Sequence, residues 1–387
     1  MSPVPSRRTF LAASGVGLAG LAGMAGCLGQ SGGDSGSGSV ASGGGGTATV
    51  PDAADSGSTQ SATDTASTDT SVLPTRDSPL PVEWPYSQLR DRTLSGGPPK
   101  DGIPSVDQPT FWSASEADDF LEPGDVVFGV AGEEDVKAYP QRILVWHEIA
   151  NDTIDGENVT VSYCPLTGTA LGFFRGETTF GVSGRLVNSN LVMYDRETDS
   201  RWPQVLATAM SGPFQGRSLT EFPITWTTWG RWKEAHPDTV VLSEDTGHVR
   251  NYNRDPYGQY NPRRGYYSNQ NTLFSPLSRD DTYREKEVVI GTRPGEGAIA
   301  FHKESLREAG LLTGEVGGAT FHAVYEPSLD TAHVYRGDGS DLSYADGQVS
   351  VGGETVAPDA VPLDPVLDID AMWFAWAGFY PGTVVVE

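Results

Sequence analysis

DVVFG at residues 125–129 recurs as EVVIG at residues 287–291, and this match belongs to a repeat of the chain at a constant offset of 162 residues (287 − 125 = 162). The same offset places Tyr163-Cys164-Pro165 on Tyr325-Glu326-Pro327, and it holds without a gap over more than 40 residues. A single register of that length is typical of an internal duplication. Two similar hairpins that arose by coincidence are the alternative.

A second register, with an offset of 144 residues (373 − 229 = 144), aligns WGRW at residues 229–232 with WFAW at residues 373–376. The matched segments follow the same order in both halves of the chain. The sequence therefore predicts two related units in tandem, residues 125–241 and 287–385, joined by a connecting segment at residues 242–286.

Each unit has the patterns of strands followed by a short helix. Apolar residues alternate over 126–130 and 136–139 on either side of a polar turn, which predicts a β-hairpin, and alternation over 159–164 predicts another strand. Short helices are predicted at 228–235 and 370–380, where tryptophans three residues apart share one face. These tryptophans recur in both units, which favours a role in the core. The predicted fold class is α+β, mainly β.

The amino-terminal segment has the pattern of an export signal. Arg7 and Arg8 precede an uncharged run of small and apolar residues at positions 12–26, which is shorter than the roughly 20 residues of a membrane-spanning helix. The run ends at Cys27, in a context where a lipid is attached. We expect residues 1–26 to be a twin-arginine signal peptide and the exported protein to be held on the outer face of the cytoplasmic membrane by that lipid.

Composition separates a linker from a folded region and limits the partners. Residues 27–75 are dominated by Gly, Ser, Thr, Ala and Asp, which predicts a disordered linker before a globular region at residues 76–387. The chain has 51 acidic and 26 basic residues and a net charge of −25, with only five lysines, as is typical of adaptation to high salt. No basic patch is present, which argues against a nucleic acid partner.

The two units differ at positions able to carry chemistry. Cys164 of the first unit aligns with Glu326 of the second, and His147 aligns with Ala309. A site is therefore expected in the first unit, near the seam with the second. Because a carboxylate is costly to bury without a partner, Glu326 suggests that this position lies near solvent. We expect Cys164 to be at least partly accessible, with His147 the nearest titratable group able to hold it as a thiolate.

Longer motifs resemble a known family. They are AYP (138–140), WHEI (146–149), NDT (151–153), YCPLTGT (163–169), NLVMYDR (190–196), WTTW (226–229) and HPDT (236–239). Over nearly all of the globular region the chain resembles the family catalogued as domain of unknown function 3179. Many relatives look to have cysteine, and some selenocysteine, where this chain has Thr167, and this implies redox or soft-metal chemistry for the family. Thr167 cannot resolve a mixed disulfide on Cys164.

A metal site is one interpretation of these motifs. Cys164, His147 and Met193 supply the ligand types of a soft copper site, so the cofactor stays open with copper as the candidate. Their spacing has no metal-ligand signature. Each residue also has an ordinary explanation, because free cysteine and methionine are frequent in cores and His147 can simply be hydrogen-bonded beneath Trp146.

Two other interpretations remain. In a cysteine-nucleophile enzyme, Cys164 attacks the substrate and His147 is the base. The orienting candidates are Glu148, Asn151 and Asp152. Further site candidates are Thr167, Asn190, Tyr194, Asp195 and Arg196. In a binding or scaffold lipoprotein, Cys164 is structural, and the redox or protein partner is unspecified in all cases. The tyrosine-rich stretch through Tyr267 is predicted to close over a site or to pack at the seam.

Overall fold

The computed structural model describes residues 73–387. The predicted signal peptide, Cys27 and nearly all of the predicted linker lie outside these residues. Leu73 is fully buried in the core and Thr75 forms a β-bridge with Leu219. The folded part therefore includes residues 73–75, which the sequence assigned to the linker, because the apolar side chain of Leu73 packs into the core.

The amino-terminal half of the described chain contains most of the long strands. Its elements are α1 (Tyr86–Asp91), β1 (Leu94–Ser95), β2 (Phe111–Ser113), α2 (Ala114–Ala117), β3 (Val126–Ala131), β4 (Val136–Pro140), α3 (Gln141–His147), β5 (Ile149–Ile154), β6 (Glu157–Cys164), β7 (Thr169–Phe174), β8 (Phe180–Val187), β9 (Asn190–Asp195), β10 (Arg201–Pro203), β11 (Glu221–Phe222), β12 (Thr225–Thr228), α4 (Trp229–Ala235) and β13 (Val240–Leu242).

The carboxyl-terminal half begins with a two-stranded ribbon. Its elements are β14 (Gly258–Gln259), β15 (Arg264–Gly265), β16 (Val288–Thr292), β17 (Ile299–His302), α5 (Lys303–Ala309), β18 (Leu311–Val316), β19 (Ala319–Glu326), β20 (Thr331–Arg336), β21 (Leu342–Ala345), β22 (Gln348–Val351), β23 (Glu354–Val356), a 3₁₀ helix (Pro358–Ala360), β24 (Asp364–Val366), β25 (Ile369–Met372), α6 (Trp373–Phe379) and β26 (Val384–Val386). Strands dominate and the helices are short, so the mainly β, α+β class is confirmed.

The strands form small sheets. One five-stranded sheet has the order β12-β3-β4-β13-β2, and a four-stranded sheet has the order β25-β16-β17-β26. In each of these the carboxyl-terminal strand of the half pairs in parallel, β13 with β4 and β26 with β17. The other four-stranded sheets have the orders β11-β7-β6-β5, β18-β19-β20-β24 and β1-β8-β9-β10. Smaller sheets join β21, β22 and β23, and β14 with β15.

The tryptophans of α4 and α6 are core residues, as predicted from their recurrence. Trp232 and Trp376 are fully buried. Each packs on a strand glycine, because a Cβ atom on Gly129 would lie 2.2 Å from the Trp232 ring and one on Gly291 would lie 2.4 Å from the Trp376 ring. Only glycine leaves room for a ring this close to the strand.

Most predicted elements are present, with one difference at the carboxyl end. The predicted hairpin is β3–β4, and the predicted strand over 159–164 is the end of β6. The predicted helix at 370–380 begins only at Trp373, because residues 369–372 form β25 and pair with β16. None of the helices in residues 73–387 has the length and hydropathy that crossing a membrane requires.

Candidate functional site

Cys164 is the last residue of β6, and it is buried. Its thiol donates to the carbonyl oxygen of Ser189 at 3.7 Å, and its Sγ accepts the backbone N–H of Leu191 at 3.4 Å. Only 1% of the residue is exposed. The expectation of a partly accessible thiol is therefore wrong. Burial, followed by the charge of Glu148, raises the pKa of Cys164 to about 11, so the thiol is protonated at neutral pH.

The charge of Glu148 acts on Cys164 and raises the pKa of its thiol. Glu148 directly follows α3, and its backbone is in the left-handed region with φ = 53°. Its carbonyl oxygen accepts the backbone N–H of Tyr163 at 2.6 Å. This bond fixes Glu148 beside the end of β6. The residue is 7% exposed, and burial raises the pKa of its carboxyl group to about 8. A non-glycine residue in this conformation is uncommon, and strained backbone of this kind concentrates at functional sites.

His147 is held by two neighbours instead of the thiol. Its Nδ1 lies 3.2 Å from the carbonyl oxygen of Pro104, and its Nε2 lies 2.5 Å from the hydroxyl of Tyr252. A carbonyl can only accept, so Nδ1 carries the proton and Nε2 accepts from Tyr252. Burial, followed by the charges of His248 and Arg250, lowers the pKa of His147 to about 3. The prediction that His147 stabilises the thiolate of Cys164 is therefore wrong.

Residues 252–267, called here the tyrosine segment, cover the end of β6. Tyr266 donates its hydroxyl to the carbonyl oxygen of Leu166 at 2.7 Å. Burial raises the pKa of Tyr257, and the nearby charges of Glu148 and Cys164 raise it further. The ring of Tyr252 stacks on His147 with centroids 5.5 Å apart. The tyrosine segment therefore covers the end of β6. Tyr266 and Tyr267 also pack in one core cluster with residues of both halves of the chain, which agrees with the predicted packing at the seam.

Polar side chains in and near the turn after β6 form a buried hydrogen-bond network. The Thr167 and Thr169 hydroxyls lie 2.8 Å apart, and Asn190 Nδ2 donates to Thr167 at 3.1 Å and to Gln204 Oε1 at 3.0 Å. Thr169 donates to the same Gln204 oxygen at 2.7 Å. A hydrogen bond from Thr167 acts to lower the pKa of Cys164, against the larger effect of burial. Thr167 and Asn190 thus belong to the surroundings of the thiol.

The sequence profile of the family described as "Protein of unknown function (DUF3179)" matches residues 100–383. The chain belongs to the DUF3179 family. This confirms the resemblance carried by the motifs around Cys164. No curated protein and no solved structure matches the chain.

Other candidate residues in this DUF3179 protein form hydrogen bonds and ion pairs that stabilise the fold, with partners other than Cys164. Lys137 Nζ lies 3.0 Å from both carboxylate oxygens of Asp152, and Tyr139 donates to Asp152 at 2.6 Å. Asn151 Nδ2 donates to Asp107 at 3.2 Å, and Arg196 also binds Asp107 at 3.2 Å. Asn151, Asp152 and Arg196 therefore have structural partners.

The remaining residues of the 190–196 motif have similar roles. Tyr194 donates its hydroxyl to Asp101 at 2.5 Å. The fully buried Asp195 accepts the indole N–H of Trp202 at 3.0 Å and the backbone N–H of Thr198 at 2.6 Å. These bonds join β9 to Asp101, Trp202 and Thr198, and none of them involves Cys164.

The described residues do not fit the predicted copper site. Both ring nitrogens of His147 have hydrogen-bond partners, and Met193 is fully buried on β9, where it pairs with Trp202 of β10. Within residues 73–387, no group of three or more His, Cys, Asp or Glu side chains is placed to hold a metal ion. A metal bound by Cys164, His147 and Met193 would require the existing bonds of His147 to break.

Glu148 was only one of several orienting candidates in the sequence. The charge of Glu148 acts on Cys164 and on Tyr257, which lie 16 and 109 residues further along the chain (164 − 148 and 257 − 148), and such tertiary proximity leaves no local sequence signal. The one local indication is that Glu148, and not glycine, follows helix α3, so that a non-glycine residue takes the left-handed backbone conformation at the helix end.

Proposed function

We propose that the protein performs thiol-dependent chemistry at Cys164, outside the cytoplasm, with Glu148 as the group that accepts the thiol proton. The observation that carries the proposal is that the carboxyl group of Glu148 is buried and that its charge raises the pKa of that thiol. A carboxyl group is costly to bury. If Cys164 only filled the core, an apolar residue at position 148 would give a more stable protein. Neighbouring ionisable groups with perturbed pKa values are typical of catalytic centres.

The closed arrangement keeps the thiol unreactive. At neutral pH both groups hold their protons, because the pKa of Glu148 is raised to about 8 and that of Cys164 to about 11. The thiolate, and not the thiol, is the nucleophile. When the tyrosine segment moves away, water reaches both groups and Glu148 ionises near its ordinary pKa of about 4.3. Its carboxylate then accepts the Sγ proton and passes it to water, and the thiolate that remains is free to attack.

A disulfide or another electrophile on a partner molecule is the substrate class that fits one thiol. With a disulfide, Sγ forms a bond to one sulfur, the S–S bond breaks, and the other sulfur leaves as a thiolate that takes a proton from water. Thr167 cannot complete the exchange, because a hydroxyl does not displace a thiol from the mixed disulfide. A thiol from another molecule must therefore release Cys164.

Alkylation of the native protein tests this proposal. A Cys27→Ser variant has Cys164 as its single thiol, since the chain contains two cysteines. We expect alkylation through a local opening that costs less free energy than global unfolding, so that low urea concentrations change the rate only slightly. Reaction that occurs only through global unfolding, with the full urea dependence of unfolding, would contradict the proposal.

A binding or scaffold function is the second candidate. It is favoured by the 1% exposure of Cys164 and by the N–H bond from Leu191 to its sulfur, which suit a structural cysteine. In that case, Cys164→Ser would leave function intact. The alkylation experiment separates the two candidates, because a structural cysteine needs no local opening.

We propose that residues 125–241 and 287–385 are related units that arose by duplication. The shared strand order supports this, since β12-β3-β4-β13 corresponds in position to β25-β16-β17-β26. Equivalent details also support it: the indole N–H groups of Trp232 and Trp376 each donate to a threonine hydroxyl seven residues later, at 3.0 Å. An experimental structure with a different strand order in residues 287–332 would contradict the duplication.

Export and anchoring are also proposed, from Arg7, Arg8 and Cys27. Replacing Cys27 by serine should release the protein into the medium or leave it unprocessed, because the site of lipid attachment is lost. Cell fractionation followed by mass determination measures this outcome. A Cys27→Ser protein that is processed normally and remains in the membrane fraction would show that another feature holds it there.

A further inference from the structure

A cleft with a volume of about 510 Å³ opens beside the tyrosine segment. This volume is in the range of small-molecule sites. Its walls come from both halves of the chain: Trp226 belongs to β12, Tyr260 to the tyrosine segment, and Lys303 to α5. The cleft is therefore a separate feature from the buried thiol, although Tyr260 belongs to the segment that covers the thiol.

Positive charge is concentrated in this cleft. Two of the chain's five lysines line it, together with three arginines, in a protein of net charge −25. The five cationic residues are Arg263, Arg284, Lys286, Lys303 and Arg307. Four carboxylates also line the cleft, and each is paired with one of these cations. The pairs are Arg284–Glu287, Lys303–Asp370, Arg307–Asp330 and Arg307–Glu304.

Arg263 and Lys286 are held by neutral oxygens instead. Arg263 is exposed and donates to the carbonyl oxygen of Lys286 at 3.0 Å and to the Tyr260 hydroxyl at 3.4 Å. Lys286 is 1% exposed and donates to the carbonyl oxygens of Tyr266 and Asn271 at 2.6 and 2.8 Å. The wall of the cleft therefore carries positive charge that its own carboxylates do not balance.

We infer that this cleft binds a small anionic molecule through a carboxylate or phosphate group held by Arg263. A guanidinium group presents several N–H donors in a plane, which suits both anions, and Lys286 adds its charge from the buried wall behind it. The Trp226 and Tyr260 rings, with centroids 4.9 Å apart, form an apolar surface for the rest of the ligand. In molar salt the Debye length is about 3 Å, so the overall charge of −25 does not repel the anion. This inference is independent of the thiol chemistry.

Calorimetric titration of the purified full-length protein with inorganic phosphate, sulfate and citrate, at constant ionic strength, tests the inference. At least one anion should bind, and Arg263→Gln should weaken its affinity about tenfold through the loss of a charge-assisted hydrogen bond. Arg264→Gln is the matched control, because Arg264 is the adjacent exposed arginine and does not line the cleft. Binding should be unchanged in Cys164→Ser.

Two results would overturn the inference. One is the absence of binding by all three anions. The other is an equal loss of affinity in Arg263→Gln and Arg264→Gln, which would assign binding to general surface charge. Neither result depends on whether Cys164 is reactive, so this test stands apart from the test of the thiol site.

Discussion

Replacing Tyr266 by alanine should raise the rate of Cys164 alkylation in the native protein by about a hundredfold. Tyr266 is buried, and its hydroxyl donates to the carbonyl oxygen of Leu166, two residues after Cys164. Removing a buried aromatic side chain costs about 3 kcal/mol or more. If that cost falls on the closed tyrosine segment, its opening becomes about a hundred times more populated, because each 1.4 kcal/mol is a factor of ten.

Tyr335→Ala is the matched control for this prediction. Tyr335 is 2% exposed and donates its hydroxyl to the carbonyl oxygen of Pro358 at 2.7 Å, but it lies in the carboxyl-terminal half. It should lower the free energy of unfolding by a similar amount without speeding alkylation at low urea. The milder variants Tyr266→Phe and Tyr335→Phe each remove only a hydroxyl group and preserve the fold. Cys164 should again be alkylated faster in the Tyr266 variant than in the Tyr335 variant. Equal alkylation rates within both pairs would contradict a covering role for the tyrosine segment.

Replacing Glu148 by glutamine should remove about 4 kcal/mol of pH dependence from the free energy of unfolding between pH 4.5 and 8. The pKa of Glu148 is raised by burial to about 8 in the folded protein. The folded state therefore binds a proton that the unfolded chain releases. This stabilisation is complete below the unfolded pKa, and it is lost as the pH rises through 8. Glutamine does not titrate, so the variant lacks this contribution.

Urea unfolding curves of the wild type and Glu148→Gln, measured across this pH range, give the difference directly. Glu308→Gln controls for the loss of one carboxylate, because Glu308 is exposed on α5. The difference between the wild type and Glu148→Gln should change with pH, whereas the difference for Glu308→Gln should stay nearly constant. A constant difference for Glu148→Gln would mean that its carboxyl group is hydrated in the folded protein.

Local patterns predicted much of the fold. The alternation around residues 126–139 became the β3–β4 hairpin, and the tryptophans of α4 and α6 are buried in the core. These predictions succeed because two apolar runs around a polar turn favour a hairpin, and bulky aromatic residues favour the core, even though β3, β4 and α6 are buried on more than one face. The helix prediction failed at residues 369–372, which form a strand before α6, because only pairing with β16 distinguishes strand from helix there.

The sequence named both Cys164 and Glu148 as candidate residues, but the structure gives Cys164 a different environment from the one expected. The prediction of an accessible Cys164 relied on the cost of burying a carboxylate at the aligned Glu326. Glu326 is half-buried, and it lies 2.5 Å from His333 Nε2 and accepts the Ser328 hydroxyl at 2.6 Å. These partners offset the cost, so Glu326 gives no information about solvent at Cys164. Such compensation depends on tertiary contacts that an alignment of the two halves does not contain.

The pH dependence of Cys164 alkylation tests whether one opening of the tyrosine segment exposes both Cys164 and Glu148. In the wild type, opening releases the Glu148 proton and reaction requires loss of the thiol proton. The logarithm of the rate should therefore rise by about two per pH unit between about pH 5 and 7. In Glu148→Gln only the thiol proton remains, so we expect a slope of about one. A slope of one in both proteins would contradict a shared opening, because Glu148 would then titrate independently of the opening that exposes the thiol.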